Sequence, residues 1–247
     1  ETMPPPRLVS ILNEYFSRMA AVLREQRGTL DKFAGDGIVC CFGAPLQFDS
    51  HAQCACVAAL QMQSVLSELR EQWRSQGVEY DAVADMRMRI GINTGAFVTG
   101  NIGCDMRMNY TMVGDAVNLA AHLEAACKEY GVQILVGEST YLATRDALSY
   151  RRVDRIQVKK RRGAEDVYEL LGTTLTREQI GLVACYESAL GHYLEGRFAQ
   201  AAEGFEQCCG HENTHEERSP SLVMARRCRT LATHPPDHWQ GVHQILS

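Results

Sequence analysis

Two charged residues, Lys32 and Asp36, lie at either end of the segment KFAGD, residues 32–36. The surrounding residues 30–42 are typical of two short strands that meet at a Gly-Asp-Gly turn. A carboxylate on such a turn can bind a divalent cation, and a nearby ammonium group can donate hydrogen bonds to a ligand. Aspartate is also ordinary in a turn, so the hairpin alone leaves both interpretations open.

Two later segments combine glycines with polar side chains. The first is RIGINTG at residues 89–95, which continues to GNIG at 100–103, and the second is NYTMVGDAVNLAA at 109–121. The second segment predicts a turn that opens a helix from about Ala116, with Asn118 pointing inward near its first turn. Glycine-rich turns and helix N-termini favour phosphate, so both segments are candidates for a phosphate site, although neither is specific.

Helical and strand patterns alternate through residue 171 and would position these motifs. The strand at 38–42 is apolar on both faces and is expected to be central in a sheet. The pattern as a whole predicts an α+β fold, with helices packed on a mixed sheet. The other predicted elements are helices at 7–27, ended by Gly28, and 51–76, a strand within 86–98, a short buried strand at 134–136 and a hairpin at 150–171.

The character of the chain changes after residue 171. Residues 176–209 and 222–231 have helical periodicity, and the run from 190 to 205 resembles one tetratricopeptide unit. One such unit cannot bury its own apolar face, so it must pack on the first domain, on a partner chain or on residues 220–247. We therefore predict a first domain at 1–171 and a helical extension at 172–247, with Trp239 and Val242 anchoring the tail.

The composition excludes several classes of protein. The net charge of −5 among 247 residues gives no nucleic-acid footprint, although a polyanionic small ligand needs only a few local cations. The chain has no apolar run long enough to span a membrane and no signal-peptide pattern. The ten cysteines lack the usual spacing of zinc ligands and favour reduced thiols in a cytosolic protein. His211 and His215 have a metal-binding spacing, but no third ligand is evident.

Taken together and in this order, the motifs resemble the class III adenylyl/guanylyl cyclase catalytic domain, of the bacterial type with a C-terminal helical extension. The first helix is similar as well, through LNEYF at residues 12–16, and the resemblance covers about residues 7–171. It implies a ferredoxin-like cyclase-type mixed sheet and two catalytic domains paired head to tail, with the active sites between them. It also implies that two Mg²⁺ or Mn²⁺ ions assist attack of the ribose 3′-hydroxyl on the α-phosphate.

The resemblance also assigns roles to individual residues. Asp36 corresponds to a metal-binding aspartate and Lys32 to the lysine that contacts the adenine ring, and in a head-to-tail dimer these two would serve different active sites. Thr111 corresponds to the second base-contacting position, Asn118 to the asparagine that orients the ribose, and Arg161 falls where a phosphate-binding lysine is expected. A Lys/Thr pair implies ATP as the substrate and a homodimer as the working form.

Two features depart from the family pattern. The family's opening strand, with its first metal-binding aspartate, would precede the first helix and is not among these residues, so we expect an unfilled place in the sheet. His122 stands where the family has its transition-state arginine. Histidine is only partly cationic near neutral pH and lacks the arginine fork, so turnover is expected to be strongly reduced.

Three functions remain open at this stage. The first is an adenylyl cyclase domain, expected in the cytoplasmic part of a membrane-anchored protein. The second is a degenerate cyclase homology domain that binds nucleotide or a partner domain and regulates without catalysis. The third is a phosphoryl-transfer or diguanylate-type enzyme on a related sheet, for which the hairpin sequence at residues 34–38 is not the expected one. Asp115 is expected to be a helix N-cap and Asp31 a surface charge.

Overall fold

The computed structural model describes residues 4–77, 83, 86–158, 163–212 and 218–245. They form two compact units. The hairpin unit comprises the described residues of Glu1–Met88 and Ala96–Val117, and the sheet unit those of Arg89–Gly95 and Asn118–Ser247. The predicted division at 171/172 is a different partition of the chain and stays a prediction.

The hairpin unit consists of two long helices and two β-hairpins. Helix α1 packs on α2, where Glu14 of α1 accepts hydrogen bonds from Gln72 Nε2 at 2.8 Å and from the buried Trp73 Nε1 at 2.7 Å. Strand β1 pairs antiparallel with β2, and β4 pairs antiparallel with β5. The elements are α1 (Pro5–Glu25), β1 (Thr29–Ala34), β2 (Gly37–Cys41), α2 (His51–Ser75), β4 (Val98–Cys104) and β5 (Arg107–Val113).

The sheet unit contains a five-stranded mixed sheet with strand order β3-β6-β8-β7-β9. Strands β3 and β6 are parallel, β8 is antiparallel to both β6 and β7, and β9 is parallel to β7. The strands are β3 (Ile90–Ile92), β6 (Ile134–Gly137), β7 (Ser149–Val158), β8 (Glu165–Gly172) and β9 (His243–Ile245). The helices are α3 (Asp115–Tyr130), α4 (Glu138–Thr144), α5 (Arg177–Leu194), α6 (Phe198–Cys209) and α7 (Pro220–Thr233). The first three residues of α3 belong to the hairpin unit and the rest to the sheet unit.

The helical extension shares one hydrophobic core with the sheet. Side chains of α3, β6, β7 and β8 belong to the same buried cluster as side chains of α5, α6, α7 and β9. Helix α5 starts at a capping box formed by Thr176 and Gln179. As predicted, Trp239 anchors the tail, since its Nε1 donates to the Tyr193 carbonyl at 2.9 Å and its ring packs edge-on to Tyr193 and Phe198.

A network of buried charges also joins the extension to the sheet. Asp154 of β7 is fully buried and accepts hydrogen bonds from Tyr130 Oη at 2.6 Å and from the Arg155 N–H at 2.7 Å. Arg227 of α7 forms an ion pair with the same carboxylate and donates to Glu129 at 2.9 Å. Burial, and next the charge of Asp154, raise the pKa of Tyr130. The extension therefore supplies the cation that balances a buried carboxylate of the sheet.

The α+β prediction and most predicted elements are confirmed, but three details were wrong. Strand β2 is not central, because β1 is its one strand neighbour among the described residues. Residues 100–103 lie inside strand β4 and form no phosphate-binding turn. Gly28 does not end helix α1, which ends at Glu25 and is followed by Arg27 in the left-handed conformation, with φ 63°. Gly28 instead leaves space for the Phe42 ring, because a Cβ there would lie 2.9 Å from that ring. No helix in the described part of the chain is long and apolar enough to cross a membrane.

Candidate active site

Lys32 and Thr111, the predicted base-contacting pair, are in contact within the hairpin unit. The Lys32 ammonium donates a hydrogen bond to Thr111 Oγ1 at 3.1 Å. The Thr111 hydroxyl in turn donates to Asp31 Oδ2 at 2.9 Å, and Lys32 Nζ lies 3.5 Å from the same carboxylate oxygen. Strand β1 thus contributes two adjacent charged side chains, and strand β5 contributes the hydroxyl between them.

A β-bulge explains how two adjacent residues reach one hydroxyl. In a regular strand, successive side chains point to opposite faces of the sheet. The pairing of β1 with β2 shifts register here, because Leu30 pairs with Cys40 while Lys32 pairs with Val39. Asp31 is the extra residue, and such bulges re-aim side chains locally. The bulge therefore permits Asp31 and Lys32 to approach Thr111 together.

Asp31 is the site residue that the sequence reasoning missed. We expected a surface charge, but only 6% of its side chain is exposed, against 55% for Lys32. The expectation was wrong because strand alternation would have turned Asp31 away from Lys32 and toward solvent. Its position beside Lys32 was the only sequence signal, and an adjacent pair gives no indication of a bulge.

Asp36 lies at the exposed tip of the β1–β2 hairpin, just after Gly35, whose φ of 65° suits glycine. Burial, and next the negative charge of Asp36, raise the pKa of Tyr15 in α1 to about 12. The tip is held near α1 by the Phe16 and Phe33 rings, whose centroids are 4.3 Å apart. Asp36 is thus an accessible carboxylate on a supported turn.

Asn118 and His122 lie one turn apart on helix α3 of the sheet unit. Asn118 is exposed, so the expectation that it points inward was wrong, and His122 is half-buried. Helix α3 begins at Asp115, one residue earlier than predicted, so Asp115 belongs to the first turn and is not the N-cap. A carboxylate in that turn is still stabilised by the helix dipole.

Gly91, in the glycine-rich segment at residues 89–95, lies where a strand packs closely against a helix. A Cβ on Gly91 would lie 2.1 Å from the Ala120 carbonyl oxygen and 2.3 Å from the Glu124 nitrogen, both in α3. Arg89 Nε donates to the Glu124 carboxylate at 2.9 Å across the same contact. Gly91 therefore allows β3 to approach the helix backbone, a role that the sequence pattern could not separate from phosphate binding.

Arg161, the predicted phosphate-binding residue, lies outside the described residues, as does His215, which has a metal-binding spacing with His211. The role of Arg161 stays a prediction.

The described residues do not by themselves assemble a metal centre. No group of three or more His, Cys, Asp or Glu side chains among them could hold an ion. Magnesium requires six ligands in near-octahedral geometry, and Asp36 supplies one exposed carboxylate. The role of Asp36 as a metal ligand accordingly stays a prediction.

Comparison with known protein families defines the class of protein as a nucleotide cyclase domain, and the mixed sheet with its packed helices agrees with it. The family model described as "Adenylate and Guanylate cyclase catalytic domain" matches residues 1–172. This chain therefore belongs to the adenylate and guanylate cyclase catalytic domain family. Domains of this family bind nucleotides, are typically dimeric and generally use divalent metal ions.

Relatives and solved structures support the same family. Adenylate cyclase 1 of Rhizobium meliloti is 33% identical over 172 residues, which are 70% of this chain and 25% of that protein. The adenylate cyclase of Anabaena cylindrica is 33% identical over 173 residues, 69% of this chain and 33% of that protein. The chain thus spans a quarter to a third of the length of these relatives.

The solved structures include enzymes of both specificities. The adenylyl cyclase CyaB from P. aeruginosa superposes with a TM-score of 0.62 and 32% identity, covering 71% of this chain and 87% of that one. The guanylyl cyclase Cya2 superposes with a TM-score of 0.60 and 31% identity, covering 71% and 86%. Because the two scores are nearly equal, overall similarity does not distinguish ATP from GTP as the substrate.

Proposed function

We propose that this chain carries an adenylyl cyclase catalytic domain that converts ATP to 3′,5′-cyclic AMP and pyrophosphate. The observation that carries the proposal is the hydrogen bond between Lys32 and Thr111. The edge of adenine presents an acceptor, ring N1, beside a donor, the 6-amino group. An ammonium donor next to a hydroxyl oxygen matches that order, with Lys32 directed to N1 and Thr111 to the amino group.

The other predicted residues complete the proposal by family correspondence. Asn118 is proposed to orient the ribose, so that the 3′-hydroxyl attacks the α-phosphate in line. Positioning of this kind supplies much of the rate enhancement in phosphoryl transfer. Arg161 is proposed to bind phosphate. Asp36 is proposed as a ligand for Mg²⁺ or Mn²⁺, and a second copy of the domain is proposed as the partner in a head-to-tail dimer.

His122 is the observation that favours a second candidate, a cyclase homology domain that binds nucleotide and regulates without turnover. Arginine donates through a planar, permanently charged fork, whereas histidine has a single ring that is only partly cationic near neutral pH. A domain with histidine at this position keeps base recognition while losing most of the stabilisation of the transition state.

A turnover assay separates the two candidates. The full-length protein is incubated with ATP and Mn²⁺ or Mg²⁺, and cyclic AMP is quantified by mass spectrometry. We expect a slow but measurable rate, an increase of order 10³-fold in His122→Arg, and loss of product in Asp36→Ala. If neither the wild type nor His122→Arg forms product, the enzyme proposal is wrong and the regulatory candidate replaces it. Unchanged activity in Asp36→Ala would remove Asp36 from the proposed metal site.

A further inference from the structure

We propose that Asp31 is a positioning residue that sets the hydrogen-bond polarity of Thr111 and thereby makes the domain select adenine over guanine. The inference rests on the proposed function, because it concerns the base-contacting pair of that same site. The inference assigns a role to a residue for which the sequence predicted none. Its structural basis is the bulge, at which the Asp31 carboxylate contacts the Thr111 hydroxyl.

A threonine hydroxyl alone is a poor discriminator of bases. It carries one hydrogen and two lone pairs, so it can donate to a carbonyl as readily as it can accept from an amine. A Lys/Thr pair without further constraint could therefore present an acceptor to the 6-amino group of adenine or a donor to the 6-carbonyl group of guanine.

The two neighbours of Thr111 remove this ambiguity. An ionised carboxylate only accepts, so the single hydroxyl hydrogen is committed to Asp31 Oδ2 at 2.9 Å. An ammonium group only donates, so Lys32 Nζ at 3.1 Å occupies one lone pair. The remaining lone pair can receive a donor and nothing else. Thr111 consequently accepts from an adenine amino group and opposes a guanine carbonyl.

Burial of Asp31 protects its hydrogen bond with Thr111 from exchange with water. The Asp31 side chain is 6% exposed, so water competes little for its hydrogen bond, while Lys32, at 55%, remains accessible to a ligand. The bulge at Asp31 lets both side chains contact Thr111, with Lys32 Nζ also 3.5 Å from the Asp31 carboxylate. Asp31 acts through Thr111 and needs no contact with the nucleotide.

The test compares Asp31→Asn with its wild type in the full-length protein. Asparagine has nearly the same shape, but its amide can donate to Thr111 and release the hydroxyl hydrogen toward a guanine carbonyl. We expect the ratio of kcat/KM for ATP to that for GTP to fall by roughly tenfold, the size of effect that one mismatched hydrogen bond produces. A matched control is Asp105→Asn, at the exposed β4–β5 turn, which should leave the ratio unchanged.

A double-mutant cycle separates polarity from mere structural support. In a Thr111→Val background no hydroxyl remains to be polarised, so Asp31→Asn should then have no further effect on the ratio. If Asp31→Asn lowers the ATP and GTP rates equally, or still changes the ratio when Thr111 is valine, the proposal is overturned. Should Asp31→Asn fail to fold by circular dichroism, Asp31→Ser removes the carboxylate with a smaller side chain and is expected to give the same fall in ratio.

Nucleotide binding distinguishes failure of this inference from failure of the proposed function. Competition of ATP and GTP against a fluorescent ATP analogue is measured for the same variants, and it needs no turnover. If the wild type prefers ATP in binding but forms no cyclic AMP, the enzyme proposal is refuted. The role of Asp31 is then supported if Asp31→Asn lowers the ratio of ATP to GTP affinity, and refuted if that ratio is unchanged. A wild type with no preference for ATP in either assay refutes the role of Asp31.

Discussion

Replacing Arg227 by methionine tests whether the helical extension stabilises the sheet through charge. The substitution keeps an unbranched chain of similar length but removes the guanidinium group from the fully buried Asp154 carboxylate. Removing one partner of a buried ion pair typically costs about 3–5 kcal/mol, because the other charge stays buried without compensation. Asp154 keeps its bonds from Tyr130 and the Arg155 N–H, so we expect the lower end, about 3 kcal/mol.

The measurement is urea denaturation together with the melting temperature. A loss of this size corresponds to a decrease of roughly 6–12 °C for a chain of this length. The control is Arg229→Met on the same helix. Arg229 forms an ion pair with Glu206 between exposed side chains, so this substitution should leave the melting temperature unchanged within error. Adding Asp154→Asn to Arg227→Met should restore part of the stability. Equal effects of the Arg227 and Arg229 substitutions, or a double variant that is less stable still, would refute the reasoning.

Two further predictions concern stability. In a urea titration, Gly91→Ala should lower the free energy of unfolding by about 1–3 kcal/mol, because the added Cβ would overlap the backbone of α3. The control is Gly100→Ala, where a Cβ meets nothing within 4 Å, and it should change that free energy by less than about 0.5 kcal/mol. A hydrogen bond from His243, together with the charge of Arg227, lowers the pKa of Glu129 below its ordinary 4.5. The ionised Glu129 therefore contributes to folding stability above pH 4.5, and this contribution is lost as the pH falls through the lower pKa of the folded state. Glu129→Gln should flatten the pH dependence of the urea midpoint in that acid range, and an unchanged slope would contradict this assignment.

Local patterns in the sequence predicted the elements well because each is specified by neighbouring residues. Helix α2 was predicted at 51–76 and found at His51–Ser75, and the hairpin around Gly35 was predicted together with its turn. The buried strand β6 followed from three consecutive apolar residues. Periodicity and turn chemistry are short-range properties, so they survive the absence of any tertiary information.

The details that the sequence did not predict depend on contacts between distant segments. The bulge at Asp31 places a carboxylate against Thr111, eighty residues away, and no local pattern encodes that approach. The glycine at position 91 had two consistent interpretations, close packing or phosphate binding, and only the position of α3 decides between them. Similarly, the apolar pattern of β2 could not indicate how many strands flank it.

In the proposed function, base recognition and turnover are separable, and they are assigned to different residues. The proposed contacts of a purine with Lys32 and Thr111 would serve an enzyme and a regulatory homologue equally well. The proposed role of position 122 concerns the transition state, where arginine would stabilise charge that develops only during the reaction. An interaction of that kind changes kcat and leaves the affinity for ATP nearly unaltered. Nucleotide affinity alone therefore cannot distinguish the two candidate functions, whereas the change in kcat on restoring arginine at position 122 can.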